Sequence, residues 1–208
     1  RARILFSVSR FLGTDYPAQL KDEPLPDLEK IIVFRGDDDS PYTRWEAFLD
    51  DSGNITEQDI QQRLESISDT DISDILFTSG TTGHPKGVMT SHEQNLRAFT
   101  HFSEIVGLTQ GDRYLVINPF FHSFGYKAGI LACLLKGVTL LPHAVFDTED
   151  ILQRISRDRI SVLPGPPTLF QSLLAHPNLG QHDLSTLQKA TTGAAVIPVE
   201  MIRKMKSV

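Results

Sequence analysis

The chain has 208 residues, 40% of them hydrophobic, a formal charge of −6 and one cysteine. This is enough apolar material for a substantial core in one or two domains, and a net-acidic chain is a poor electrostatic partner for nucleic acid, whose phosphates reward clustered Lys and Arg. A lone thiol closes no internal disulfide, which suits the cytoplasm, and the longest apolar runs are broken by Lys127, Lys136 and Pro142 before they reach a membrane-spanning length.

In chain order, Ile4 to Val8 and Lys30 to Phe34 have the length and composition of strands. Of the 26 acidic residues, 17 lie between Asp15 and Asp74. That stretch, with Asp37-Asp38-Asp39 and several prolines, reads as a solvated connecting region. A carboxylate triplet could take calcium, but EF-hand spacing is missing. Nor do the seven histidines form a zinc-like pair on a helix. No metal site is therefore expected from a protein cluster.

Asp74 to Thr78 is a further strand, and it leads into Thr78-Ser79-Gly80-Thr81-Thr82-Gly83-His84-Pro85-Lys86-Gly87-Val88. Hydroxyls, glycines that let backbone N–H groups approach closely, and one ammonium group suit a polyphosphate. The nucleotide triphosphatase P-loop requires Gly-Lys-Ser/Thr at its end. Here Pro85 precedes Lys86 and Gly87 follows it, and proline favours extended backbone. Lys86 to Thr90 is accordingly a strand, giving strand, loop, strand. A stretch rich in Ser, Thr and Gly is also what an ordinary solvated turn looks like.

Ser91-x-x-Gln94 is a capping box opening a helix over Glu93 to Val106. A strand at Tyr114 to Ile117 then runs into Asn118-Pro119-Phe120-Phe121-His122-Ser123-Phe124-Gly125, followed by a helix over Tyr126 to Leu135 that carries Cys133 among aliphatic neighbours. His122 thus falls at the carboxyl end of a strand, where open α/β sheets place ligands; a histidine among phenylalanines is also a common core residue. Strands at Val138 to Leu141, Ile160 to Leu163 and Leu187 to Thr191 alternate with helices at Glu149 to Arg157, Leu169 to Ala175 and Val199 to Met205. Pro164 to Thr168 marks a strand stop and a helix start, and Pro198 suits the first turn of the last helix. Repeated strand-helix-strand units predict an α/β fold of mostly parallel sheets flanked by helices.

The eleven residues Thr78 to Val88 resemble the phosphate-binding signature of the adenylate-forming superfamily, which includes acyl-CoA synthetases, luciferases and peptide-synthetase adenylation domains. Asn118 to Gly125 is similar to the superfamily's Pro-x-Phe-His-x-x-Gly element, and Thr191-Thr192-Gly193-Ala194-Ala195 resembles, less specifically, its small-residue segment beside adenine and the acyl pocket. The resemblance implies a partial large domain. Residues 1–70 form an acidic connecting region with strands from its front, residues 71–208 the ATP- and acyl-binding region, and the small C-terminal domain is absent, which would leave the piece catalytically silent by itself.

It also implies the chemistry: ATP, with Mg, activates a carboxylic acid to acyl-AMP, and coenzyme A then takes the acyl group. Thr78, Ser79, Gly80, Thr81, Thr82, Gly83 and Lys86 would bind phosphates, with Thr81 and Lys86 catalytic; Phe121, His122, Phe124, Gly125, Gly193, Ala194 and Ala195 would border the acyl group and adenine. No acidic residue lies between Arg113 and Phe146 to pair with a substrate ammonium, so an acid without an amino group, as in the acyl-CoA synthetase branch, fits better than an amino acid. Asn118 to Leu135 is similar to bacterial acyl-CoA ligases, some acting on steroid-derived propanoates; medium- or long-chain fatty acids fit equally. A luciferase-like enzyme, a peptide-synthetase adenylation domain and a non-catalytic nucleotide- or acyl-binding fragment are the alternatives.

Overall fold

A computed structural model describes residues 2–35, 41–78, 83–193 and 195–208. The Asp37-Asp38-Asp39 triplet, Ser79, Gly80, Thr81, Thr82 and Ala194 lie outside the described residues. The chain divides into two compact units, Arg1–Ile67 and Ser68–Val208.

In the first unit, β1 (Ile4–Ser7), β4 (Lys30–Val33) and β5 (Thr43–Arg44) make a parallel sheet in the order β1-β4-β5, and β2 (Arg10–Phe11) pairs with β3 (Thr14–Asp15) as a hairpin. Ile32 and Val33 are its buried strand residues. The acidic stretch read as a connecting region also holds helices: α1 (Trp45–Asp50) and α2 (Glu57–Glu65). The second is easily missed in sequence. None of its residues is buried, and its capping box runs from Thr56 to Asp59, with Asp in place of the usual Glu or Gln.

The second unit is built on a four-stranded parallel sheet in the order β11-β10-β8-β9, with β8 at Arg113–Val116, β9 at Thr139–Pro142, β10 at Val162–Gly165 and β11 at Lys189–Thr192. Side chains alternate across a strand. Tyr114, Val116 and Val162 therefore enter one core, with Ala132, Cys133 and Val138. Leu115 and Leu163 enter the other, with Ile151, Leu152 and Ile155 of α6 (Thr148–Arg157), Leu169, Phe170 and Leu173 of α7 (Pro167–Leu174) and Met201 of α8 (Val199–Ser207). Pro198 is the N-cap of α8, one residue ahead of the first turn where it was expected. A separate antiparallel hairpin, β6 (Ile72–Thr78) with β7 (Lys86–Ser91), feeds α3 (His92–Val106), whose capping box is the predicted Ser91 and Gln94 pair. Architecture and parallel topology agree with the sequence.

One predicted helix differs in kind. In place of a single α-helix over Tyr126 to Leu135 there is a short turn α4 (Ser123–Gly125), a π-helical segment at Tyr126–Leu131, and α5 (Ala132–Lys136). Periodicity over so few residues cannot separate a widened turn from an α-helix. Tyr114 donates to the Ala128 carbonyl inside it at 2.8 Å. Cys133 is a buried thiol whose pKa is pushed up to about 12, by burial and then by the negative charge of Asp112; it packs as a small apolar residue and is unreactive.

The amino-terminal edge of the parallel sheet is fastened by Asp112, which pairs with Lys189 at 2.6 Å and accepts from Ser161 Oγ at 2.7 Å and from the Thr109 amide at 2.9 Å. These contacts join the starts of β8, β10 and β11. Burial raises the carboxyl's pKa, but the bonds from Lys189, Thr109 and Ser161 outweigh it and hold the group below its usual range. The folded form therefore ionises at lower pH than the unfolded chain: the stabilisation is complete above about pH 4 and is lost as pH falls through the folded value. Asp112→Asn should lower unfolding free energy at pH 7 by about 3 kcal/mol and blunt the loss on acidification, as measured by urea unfolding followed by circular dichroism across pH 3–7. A variant as stable as the wild type would rule the pair out as a fastening.

Candidate active site

The hairpin presents its loop from paired ends. Thr78 lies opposite Lys86 in the β6–β7 register, with the Thr78 hydroxyl 3.5 Å from the Lys86 carbonyl. After Pro85 the chain thus returns into a strand, as Pro85 predicts. Gly83 has φ +86°, a left-handed conformation that glycine adopts without strain. The Lys86 side chain is exposed and has no acidic partner among the described residues.

Beyond β8 the chain turns at Pro119, whose carbonyl accepts from the His122 amide at 3.0 Å. His122 caps α4, its Nδ1 accepting from the Phe124 amide at 3.1 Å. With Nδ1 an acceptor, the neutral ring carries its proton on Nε2 and can donate from there. Phe121 is 85% exposed, while Phe124 is half-buried and meets Phe102 of α3 edge-on at 6.5 Å. Gly125 is forced: a Cβ there would coincide with the carbonyl oxygens of Asn118 and Pro119 and come within 2.6 Å of the Pro119 carbonyl carbon.

Parallel strands put the segment after β8 and Gly193 after β11 at the same carboxyl edge, with β10 between them. Gly193 is half-buried and Ala195 exposed. At this edge a cavity of about 280 Å³ is lined by Ile117, Asn118, Pro119, Phe146, Pro166 and Leu169, with Thr168 and Ser172 as further polar groups. Among the described residues four buried side-chain polar atoms lack a hydrogen-bond partner, and three of them sit at this edge: Asn118 Nδ2 after β8, His143 Nε2 just after β9, and Thr192 Oγ1 at the end of β11; the fourth, His182 Nε2, lies in the segment before β11. Buried polar groups are nearly always bonded, so three partnerless ones where parallel sheets hold their ligands mark a binding edge. His143 was not singled out in sequence, and Thr192 only as part of the Thr191 to Ala195 segment; their placement one residue beyond and at the last residue of strands is the signal that could have found them.

The hairpin and the His122 segment are joined by a buried ion pair. Lys127, in the π-helical segment, is 2.9 Å from Asp74 Oδ1 in β6 and donates to Thr90 Oγ1 of β7 at 2.8 Å. Thr90 donates to Asp74 at 2.8 Å, and Asn95 of α3 and Ser73 donate to its other oxygen at 2.6 and 2.9 Å. Burial raises the Asp74 pKa, yet the bonds from Lys127, Thr90, Ser73 and Asn95 keep it below its ordinary value. In the sequence Lys127 only interrupts an apolar run. The missed signal is two opposite charges, each inside an otherwise apolar element.

The sequence model of the AMP-binding enzyme family matches residues 2–208. The chain belongs to the AMP-binding enzyme family. It is 46% identical to a Mycobacterium tuberculosis propanoyl:CoA ligase whose acyl group is named as a 7a-methyl-1,5-dioxo-octahydro-1H-inden-4-yl propanoyl unit, over 99% of this chain and 40% of that protein. A ligase of the same name from Rhodococcus jostii is 44% identical, over 98% of this chain and 40% of its own length. This AMP-binding chain therefore spans about two fifths of the length of the curated relatives it matches. Its fold resembles that of the anthranilate CoA ligase AuaEII in complex with anthranoyl-AMP, at 24% identity and a TM-score of 0.73 over 99% of this chain and 38% of that one.

Gly125→Ala should destabilise the AMP-binding unit by about 2–3 kcal/mol, because two backbone carbonyls must move for one methyl group. Thermal unfolding checks this; a melting temperature within a degree or so of wild type would contradict the close approach.

Proposed function

We propose that this chain carries the ATP loop and the acyl-binding edge of a carboxylic acid:CoA ligase. The carboxylate oxygen of the acid attacks the α-phosphorus of MgATP. The new O–P bond forms as the bond to the β-phosphate oxygen breaks, and magnesium pyrophosphate leaves. The thiol sulfur of coenzyme A then attacks the acyl carbonyl, AMP departs, and the thiol proton passes to solvent. Both reactants of the first step are anions, so the protein's task is to align them and balance charge.

In this reading Thr78, Ser79, Thr81, Thr82 and the amides of Gly80 and Gly83 cradle the β- and γ-phosphates, and Lys86 supplies a compact cation. His122 donates from Nε2 toward the reacting carboxyl. Phe121, Phe124 and Gly125 border the acyl group, and Gly193, Ala194 and Ala195 leave room for flat rings. Residues 71–208 act as the ATP- and acyl-binding region and residues 1–70 as the front of the large domain. The single observation that carries the reading is the ion pair from β6 to the segment after His122, because it holds phosphate loop and acyl edge in one unit.

For the acid, we favour a compact oxygenated alicyclic propanoate over a straight chain. Two relatives above 40% identity bear such a name, and a 280 Å³ cavity with the partnerless Asn118 amide suits a small ring system bearing a carbonyl acceptor. On this reading the enzyme serves lipid-derived carbon metabolism in the cytoplasm, where ATP and coenzyme A are supplied. Among the described residues no helix is long and apolar enough to cross a membrane.

The test is acid-dependent exchange of labelled pyrophosphate into ATP by the full-length enzyme, across hydrindane-type keto propanoates and straight-chain acids. The ring acids should give the higher kcat/KM, and Lys86→Ala should lower exchange by about 10²- to 10³-fold, or about 2–4 kcal/mol of transition-state stabilisation. Undiminished exchange in Lys86→Ala would remove that residue from the site. Absence of exchange with every acid would remove the ligase reading.

A further inference from the structure

We infer that Lys127 and Asp74 are positioning residues, a strut that sets the acyl carboxylate in line with the nucleotide; the inference rests on the ligase reading. Lys127 is 5% exposed and the Asp74 side chain 12%, so the pair has little solvent to swivel in. Replacing such a pair by apolar side chains often costs no stability. What apolar packing cannot reproduce is direction.

Here the directions are closed on both sides. Thr90 Oγ1 accepts from Lys127 and donates to Asp74, and the Asn95 amide bridges Ser73 and Asp74. A one-residue slip of the hairpin breaks all of these at once. The strut also sits on a defined rung. Asp74 lies opposite Thr90, and the loop-bearing rung Thr78–Lys86 is four residues further along each strand, about 13 Å away at the usual strand rise. On the other side Lys127 follows the Gly125 turn, whose carbonyl contacts fix the backbone that His122 caps. The pair therefore relates the strand ends that carry the phosphate loop to the histidine turn, without touching either substrate.

The experiment compares full-length enzyme variants by pyrophosphate exchange and thermal unfolding. Lys127→Met should lower the melting temperature and reduce kcat by about 10- to 100-fold, the scale of a small misalignment, with KM for ATP and for the acid each within about threefold of wild type. In Asp74→Leu/Lys127→Met the melting temperature should recover, since no unpaired charge is left buried, while kcat stays low. Thr90→Val keeps both charges and the side-chain volume, removes the shared hydroxyl, and should lower kcat by about fivefold with KM unchanged; it decides the matter if the double variant does not fold. Wild-type kcat in the double variant or in Thr90→Val, or a rise in KM with kcat intact, would overturn the inference. Exchange activity in the wild type with unaffected variants removes the strut alone, whereas a silent wild type removes the ligase reading and the strut with it.

Discussion

A buried ammonium group must meet its countercharge or stay out, because desolvating an ion costs several kcal/mol even after the protein relaxes. Lys127 enters the interior from the segment just after His122, and the carboxylate it meets belongs to a different structural element, the hairpin that ends in the Thr78 to Lys86 loop. That requirement ties together two pieces that secondary structure alone leaves independent: among the described residues the hairpin forms no ladder with the parallel sheet. α3 covers the join, contributing Asn95 to the carboxylate and Phe102 to the ring of Phe124.

The parallel sheet divides its two edges between different tasks. At the amino-terminal edge Asp112, Lys189, Ser161 and Thr109 satisfy one another and fasten three strand starts. At the carboxyl edge Asn118, His143 and Thr192 hold polar atoms that nothing among the described residues satisfies. Polar groups left open on one side and closed on the other are what a binding edge demands, since a donor already spent on the protein cannot recognise a ligand.

Much of this was legible in the sequence where pattern and chemistry coincide. Apolar runs separated by helical patterns gave β1, β4 and the four strands of the second unit's parallel sheet within a residue or two, while the two-residue β5 was missed; Ser91 and Gln94 marked the start of α3, and Pro85 correctly forbade a helix after the loop. The family followed from Thr78 to Val88 and Asn118 to Gly125 because those segments require unusual residues in a fixed order. What escaped was set by tertiary context. α2 is exposed on every side and capped by an unorthodox Asp59; the π-helical turn at Tyr126–Leu131 has no periodicity to reveal it over so few residues; and Asp74 and Lys127 are far apart in sequence, so neither predicts the other. Phe121 and Phe124, alike in the motif, differ in the structure, one exposed and one packed on α3, because only the second lies on the face that α3 covers.

We propose that nucleotide loop and acyl edge form one coupled site. Hydrogen exchange read by mass spectrometry on the full-length enzyme tests it directly, with MgATP alone and then with a stable acyl-adenylate analogue. MgATP should slow exchange in residues 78–88, and the analogue should slow exchange in 78–88, 118–125 and 191–195 together. Protection confined to other segments, or an analogue that leaves 118–125 unchanged while protecting the loop, would contradict it.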